Sequence, residues 1–196
     1  ARELAATLTP GTSERINLGS NPRAGLQQAQ QLFRFFLEKS GITVSDSGFY
    51  RESVSEEWEL LHSHQSSRSL TDILVGMLRY SNNFIANQLF LTLGAQQSGY
   101  PATVAAARLV LQQRLTDLFG EGYGNSPELL LMQEGSGLSR EQRSSAAGMM
   151  GILQQFKPYA RLLPDNDGVL RKSGTLTGVY NFAGYIPGAD GLYPFV

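Results

Sequence analysis

Apolar positions in this chain recur first at helical spacing and then, toward the C-terminus, at every second residue. Leu26, Ala29, Leu32, Phe33, Phe36 and Leu37 fall on one helical face and predict a helix from about Arg23 to Lys39. Asn21-Pro22 supplies its start, and Gly41 follows where a left-handed C-terminal cap would sit. "GITVSDSGFY" then reads as a short strand and turn, and "EEWELLHSHQ" as a weakly alternating strand with Trp58 and Leu60 on one side. Ser69 with Asp72 makes a capping-box pattern for the helix "LTDILVGMLRY". That segment stops at "SNN" and resumes as "FIANQLFLTLG". Pro101 opens a helix through Leu118, with Leu109, Leu111, Leu115 and Leu118 among its apolar positions, and Gly120, Gly122 and Gly124 make the next loop.

The second half changes period. "PELLLMQEGSGLS" predicts a buried strand ending in a Gly-Ser-Gly turn, and Ser139 or Ser144 is placed to cap the helix "SAAGMMGILQQF". Pro158 and Pro164 bracket an irregular stretch. "GVLRKSGTL", "GVYNFAGYI" and "GLYPFV" then read as antiparallel strands joined by tight turns such as Gly188-Ala189-Asp190-Gly191. Helices in the middle and strands clustered at the end predict an α+β fold, an antiparallel sheet covered by helices. The dinucleotide fingerprint is not met by "GEGYGN".

Bulk properties narrow the function. The 196 residues suffice for one domain with a core, or for one large piece of a bigger protein. A net charge of -1 and a pI of about 6.2 provide no basic field for nucleic acid. No stretch reaches the unbroken apolar length of a transmembrane segment. With no cysteine, disulfides, thiolate metal sites and cysteine nucleophiles are all excluded, although the compartment stays open. "ARELAATLTPGTSERINL" has neither a signal-peptide core nor an initiator Met, so the chain is expected to be processed or cut from something longer.

Two short motifs carry the chemistry, in a fixed order. Ser81-Asn82-Asn83 sits at a break between helical segments, and Lys172-Ser173-Gly174 heads a strand. Serine penicillin-recognising enzymes use Ser-x-x-Lys, then Ser-x-Asn, then Lys-Thr/Ser-Gly. Alone, "YSNN" reads equally as a helix break with a capping Asn, and Lys-Ser-Gly as a plain strand entry. The flanking strings "NPRAGLQQAQQLFRFFLEKSGITV", "LRYSNNFIANQLFLTLGA", "EGSGLSREQR" and "RKSGTLTGVYNFAGYI" go further. With them the chain resembles the D-alanyl-D-alanine carboxypeptidase/endopeptidase family of class C low-molecular-mass penicillin-binding proteins, the type-4 group. The resemblance covers nearly the whole chain, most firmly from Ser81 onward.

That resemblance implies a β-lactamase/transpeptidase-like fold, incomplete at both ends, with residues 1–20 the tail of an inserted domain or linker and residues 21–196 the penicillin-binding domain. It implies that Ser81 relays a proton between an active-site lysine and the leaving group, and that Asn83 holds the scissile amide. Lys172 would supply positive charge for the substrate's terminal carboxylate, which the Ser173 and Thr175 hydroxyls would bind. The Thr175 N–H would form half of an oxyanion hole. Gly174 would let the strand edge lie against the substrate backbone, which adds as a further strand.

The departures are equally definite. The lysines are Lys39, Lys157 and Lys172, preceded three residues earlier by Phe36, Gln154 and Val169, so no Ser-x-x-Lys exists here. The expectation is a piece of a serine-type hydrolase that acts on peptidoglycan stem peptides and crosslinks through an acyl-serine, inactive alone because the nucleophile lies outside the chain. Glu134 stands where the family has Asp in its Gly-Ser-Gly loop. No metal or cofactor is expected. His62-x-His64 lacks a third ligand pattern and reads as ordinary strand histidines. The implied partners are peptidoglycan peptide and, in the full-length protein, β-lactams; the implied location is the periplasm. The alternatives are a non-catalytic peptidoglycan-binding homologue, or an esterase or β-lactamase on the same scaffold.

Overall fold

The computed structural model describes residues 7–12, 22–45, 48, 55, 57–120 and 129–196. The chain forms two compact units, Ala1–Ser63 and His64–Val196. In the first, helix α1 spans Pro22–Lys39, as its apolar spacing predicts. Gly41 ends it with φ of +82°, and the Ile42 N–H reaches back five residues to Leu37 O, so the left-handed cap is present. Phe33 and Phe36 on its apolar face remain exposed.

Neither strand expected in this region forms among the described residues. Residues 42–45 and 58–66 carry no regular structure, and Trp58 and Leu60 are exposed. Alternation without a partner strand leaves backbone groups unpaired, so water wins over a lone extended segment. The remainder of "GITVSDSGFY" lies outside the described residues apart from Gly48, whose carbonyl accepts from Gln30 Nε2 at 2.7 Å.

The second unit carries the sheet and the helices that cover it. Helix α2, Leu70–Tyr80, opens with the expected capping box, Ser69 and Asp72 each accepting from the other's backbone N–H. Helix α3, Asn83–Ser98, is capped by Asn82, and helix α4, Val104–Phe119, by Thr103. The expected start at Pro101 is therefore early by about one turn, because the Thr103 hydroxyl, and not the proline, accepts an orphan N–H, that of Ala106. Ala107 of α4 is fully buried against Gly94 of α3, whereas Leu109, one of the apolar positions of this helix, faces outward.

Strand β1, Leu130–Leu131, pairs with β2, Arg143–Ser144, and is much shorter than the run "PELLLM" suggests. Ser145, one residue beyond the expected Ser144, caps α5, Ala146–Phe156, because Ser144 is already in the β2 ladder. A 3-10 helix, Lys157–Leu162, follows. Four antiparallel strands close the chain in sequential order: β3, Asp165–Asn166; β4, Val169–Leu176; β5, Val179–Gly188; and β6, Gly191–Phe195. Both β4–β5 and β5–β6 are joined by two-residue turns, as the alternation and the glycines predict.

Strand alternation decides what the sheet does with each residue. Leu170, Lys172 and Gly174 share a face with Tyr185, Ala183 and Asn181, their register partners. At the Leu170 end this face meets the core: Tyr185, Leu153, Ala160 and Leu163 are buried together, with Leu78 of α2 and Phe156 packed against them. Tyr185 has no exposed surface, and its hydroxyl donates to Leu153 O at 2.5 Å. The same face leaves the core two residues later and becomes the floor of a groove.

Candidate active site

Ser81 and Asn83 owe their positions to how α2 stops. Ser81 ends the helix in the left-handed region, φ 51° and ψ 50°, and the next N–H, of Asn82, returns to Met77 O at 3.1 Å. A non-glycine residue there is uncommon, and such conformations concentrate at functional sites. Asn82 then starts α3, its Oδ1 accepting the Ile85 N–H at 3.0 Å. The capping reading of "SNN" is therefore correct for Asn82, and it leaves Ser81 and Asn83 on either side of the cap with exposed side chains.

Lys172 comes from the opposite wall. Its Nζ donates to Ser81 Oγ at 2.6 Å and to the carbonyl of Ser173 at 2.8 Å. The first bond joins two elements 91 residues apart in sequence. Burial holds the ammonium below its ordinary value of 10.5. Since the serine oxygen accepts from the ammonium, the Ser81 hydroxyl proton is free to be donated elsewhere in the groove.

Beyond Leu170, no strand among the described residues pairs with β4 on the β3 side. The Arg171 N–H points to that side, where it donates to Pro164 O at 3.0 Å. By the two-residue period, the backbone N–H and C=O of Ser173 and Thr175 point to the same open edge. Their side chains are exposed. Gly174 lies opposite Asn181 in the ladder, and a Cβ on it would collide with Asn181 Oδ1. On the side where a Cβ would stand, the group nearest Gly174 is thus the carboxamide of the neighbouring strand.

A third wall is the loop 134–139. Glu134 organises it: its carboxylate accepts from the Ser136 N–H at 2.7 Å, from the Ser136 hydroxyl, from the Ser139 N–H at 3.2 Å and from Gln142 Nε2 at 3.2 Å. Burial pushes the Glu134 carboxyl upward, but the bonds from Ser136, Ser139 and Gly137 outweigh it and hold the group below its ordinary value of 4.5. The loop is docked on α3 through Gly135, whose N–H donates to Asn87 Oδ1 at 2.8 Å. It is tied to the sheet by Arg140, which donates to Thr177 O at 2.8 Å in the β4–β5 turn.

Together these walls enclose a groove of about 590 Å³ that holds Ser81, Asn83, Lys172, Ser173, Gly174 and Thr175, all six residues singled out in the sequence. The sequence reading did not single out Ser136 or Asn181, which also line it. In sequence Asn181 stands out only as the polar residue in the alternating row Val179, Ala183 and Tyr185, and nothing local says that it faces a groove. His62 and His64 lie in an irregular exposed stretch, and no group of three metal-ligating side chains occurs among the described residues.

The fold is the helix-covered antiparallel sheet on which the penicillin-recognising motifs are carried. The chain belongs to the D-Ala-D-Ala carboxypeptidase 3 (S13) family, whose sequence profile matches residues 8–164. That region includes Ser81, Asn83 and the Glu134 loop and stops short of Lys172. Across a longer stretch, the chain is 30% identical over 198 aligned residues to the D-alanyl-D-alanine carboxypeptidase of Actinomadura sp. (strain R39), covering 85% of this chain and 35% of that protein. It is 28% identical over 160 residues to the D-alanyl-D-alanine carboxypeptidase DacB of Haemophilus influenzae, covering 69% of this chain and 32% of that one. A crystal structure of penicillin binding protein 4 (dacB) from Haemophilus influenzae, complexed with a novel beta-lactam, superposes with a TM-score of 0.65. The identity is 25%, over 88% of this chain and 43% of the other. The chain spans about a third of the length of the curated relatives it matches. No helix among the described residues is long and apolar enough to cross a membrane.

Proposed function

We propose that this chain supplies the substrate-binding strand and the proton-relay serine of a serine-type D-alanyl-D-alanine carboxypeptidase/endopeptidase, with the acylated serine contributed by a Ser-x-x-Lys segment outside the 196 residues. The observation that carries this reading is the 2.6 Å bond from Lys172 Nζ to Ser81 Oγ across a groove floored by an open strand edge. A stem peptide adds along the β4 edge as an extended strand, its terminal carboxylate against the Ser173 and Thr175 hydroxyls and within the field of Lys172. Attack by the serine places negative charge on the carbonyl oxygen, which the Thr175 N–H and the nucleophile's own N–H stabilise. The lysine of the Ser-x-x-Lys segment takes the nucleophile's hydroxyl proton; Ser81 passes its own hydroxyl proton to the departing amine and takes that one in its place, while the Lys172 ammonium stabilises the Ser81 oxygen. Asn83 holds the amide of the scissile peptide. Water then releases the acyl group. A β-lactam enters the same groove as a substrate mimic. The peptidoglycan substrate places the protein at the cell wall, on the periplasmic side of the cytoplasmic membrane.

The test is the rate of acylation by a β-lactam, and of hydrolysis of a peptide ending in D-Ala-D-Ala, in the full-length gene product. Ser81→Ala should lower both rates by about 100-fold or more, the range of a general acid/base group. Rates within twofold of the parent would remove Ser81 from the mechanism. A non-catalytic stem-peptide-binding role becomes the better reading if the full-length product carries no Ser-x-x-Lys, since none of this chain's three lysines stands three residues after a serine.

A further inference from the structure

Asn181 occupies a place that the motifs do not explain. On β5 its neighbours along the same face are Val179, Ala183 and Tyr185. Ala183 and Tyr185 run into the core, and Tyr185 is buried completely. Asn181 is the polar member of that row, and it lines the groove together with Ser81 and Lys172. Its strand is one removed from the open edge, so an ordinary residue at the facing position of β4 would screen it from a peptide lying along that edge. The facing residue is Gly174. The missing side chain leaves a gap, and the Asn181 carboxamide lies against it, its Oδ1 close enough to collide with an added Cβ and its Nδ2 3.5 Å from that position. Lys172 is the diagonal neighbour of Asn181 on the same face, within reach of a shared ligand.

We infer that Asn181 is a specificity-determining residue that hydrogen-bonds the terminal carboxylate of the substrate, donating through Nδ2 beside the Lys172 ammonium. This rests on the acyl-serine reading above. A carboxylate bound along the edge at Ser173 and Thr175 sits next to Gly174, and the gap at Gly174 is how the second strand reaches it. A neutral amide suits the position: it adds a donor without a second positive charge, which would compete with Lys172 for Ser81 and depress the lysine further. Gly174 and Asn181 therefore work as a pair, the glycine required by the asparagine as well as by the substrate backbone.

The experiment compares two peptides on the full-length gene product, one ending in D-Ala-D-Ala with a free carboxylate and one with that carboxylate converted to the neutral amide. Asn181→Ala should lower kcat/KM for the free acid by about 10- to 100-fold, the range of a hydrogen bond to a charged group, and leave the much slower amide reaction nearly unchanged. Asn181→Asp should be worse than Asn181→Ala on the free acid, through like-charge repulsion, and should not be worse on the amide. Equal losses on both peptides would mean that Asn181 only supports the strand, and would overturn the assignment. If the parent protein hydrolyses neither peptide and forms no β-lactam adduct, the acyl-serine reading fails first and this assignment with it.

Discussion

Gly135 is the point at which the groove's third wall is fastened to α3, and replacing it by alanine should unfasten it. An added Cβ would collide with Ala86 O and would lie 2.8 Å from the Ala86 carbonyl carbon and 2.9 Å from Phe90 Cβ. The first two are helix backbone and Phe90 is buried, so the loop must yield rather than the helix. Overpacking of this kind costs about 1–3 kcal/mol. Moving the loop also breaks the 2.8 Å bond from the Gly135 N–H to Asn87 Oδ1, worth about 1 kcal/mol. The expected total is about 2–4 kcal/mol, read as a fall in the urea midpoint at constant slope. Gly137→Ala is the comparison: Gly137 has φ of +84° but its Cβ would stand 3.8 Å from Gln142 Nε2, so only backbone strain of about 1–2 kcal/mol is expected. Asn87→Ala separates the two cases. It should cost about 1 kcal/mol in the parent and in Gly137→Ala, and almost nothing once Gly135→Ala has displaced the loop. Additive losses for Asn87→Ala and Gly135→Ala would refute the docking argument.

Three further outcomes follow from the same geometry. The Glu134 carboxyl is held below 4.5 by its loop, so its contribution to stability is complete above that value and disappears as pH falls through the folded-state value; acid titration of unfolding should be shallower in Glu134→Gln, and an identical acid limb would contradict this. The Lys172 ammonium is depressed by burial, so binding of carboxylate ligands should weaken with rising pH from below 10.5, and Lys172→Arg should push that loss to higher pH; a pH-independent affinity would remove Lys172 from carboxylate binding. Tyr185→Phe leaves Leu153 O without its hydroxyl donor in the core and should cost about 1–2 kcal/mol in thermal or urea unfolding, with no change in ligand affinity.

The sequence was most readable where a local rule acts alone. The Ser69/Asp72 capping box, the Gly41 cap and the three C-terminal strands with their two-residue turns all depend on neighbours in sequence, and all formed as read. Legibility failed where a distant partner decides. "EEWELLHSHQ" alternates, yet no strand pairs with it, so its described residues stay irregular and exposed. Leu130 joins the core but its strand has two residues, because β2 is interrupted by the cap at Ser145. At the site, order and setting of the two motifs were enough to name six residues that the fold brings into one groove. In sequence Glu134 shows only as a replacement for the family's Asp. Its role as the acceptor for three residues became visible only once the loop's closure was seen. Asn181 stayed hidden because its meaning depends on register: only the pairing of Gly174 with Asn181 turns an ordinary strand asparagine into a groove residue.

The most direct measurement is intact mass after incubation with a β-lactam, made on the full-length gene product and on this 196-residue chain side by side. The account predicts a covalent mass increase on the full-length product alone, mapped to the serine of a Ser-x-x-Lys motif. An adduct on one of this chain's own serines, or none on the full-length product, would contradict it.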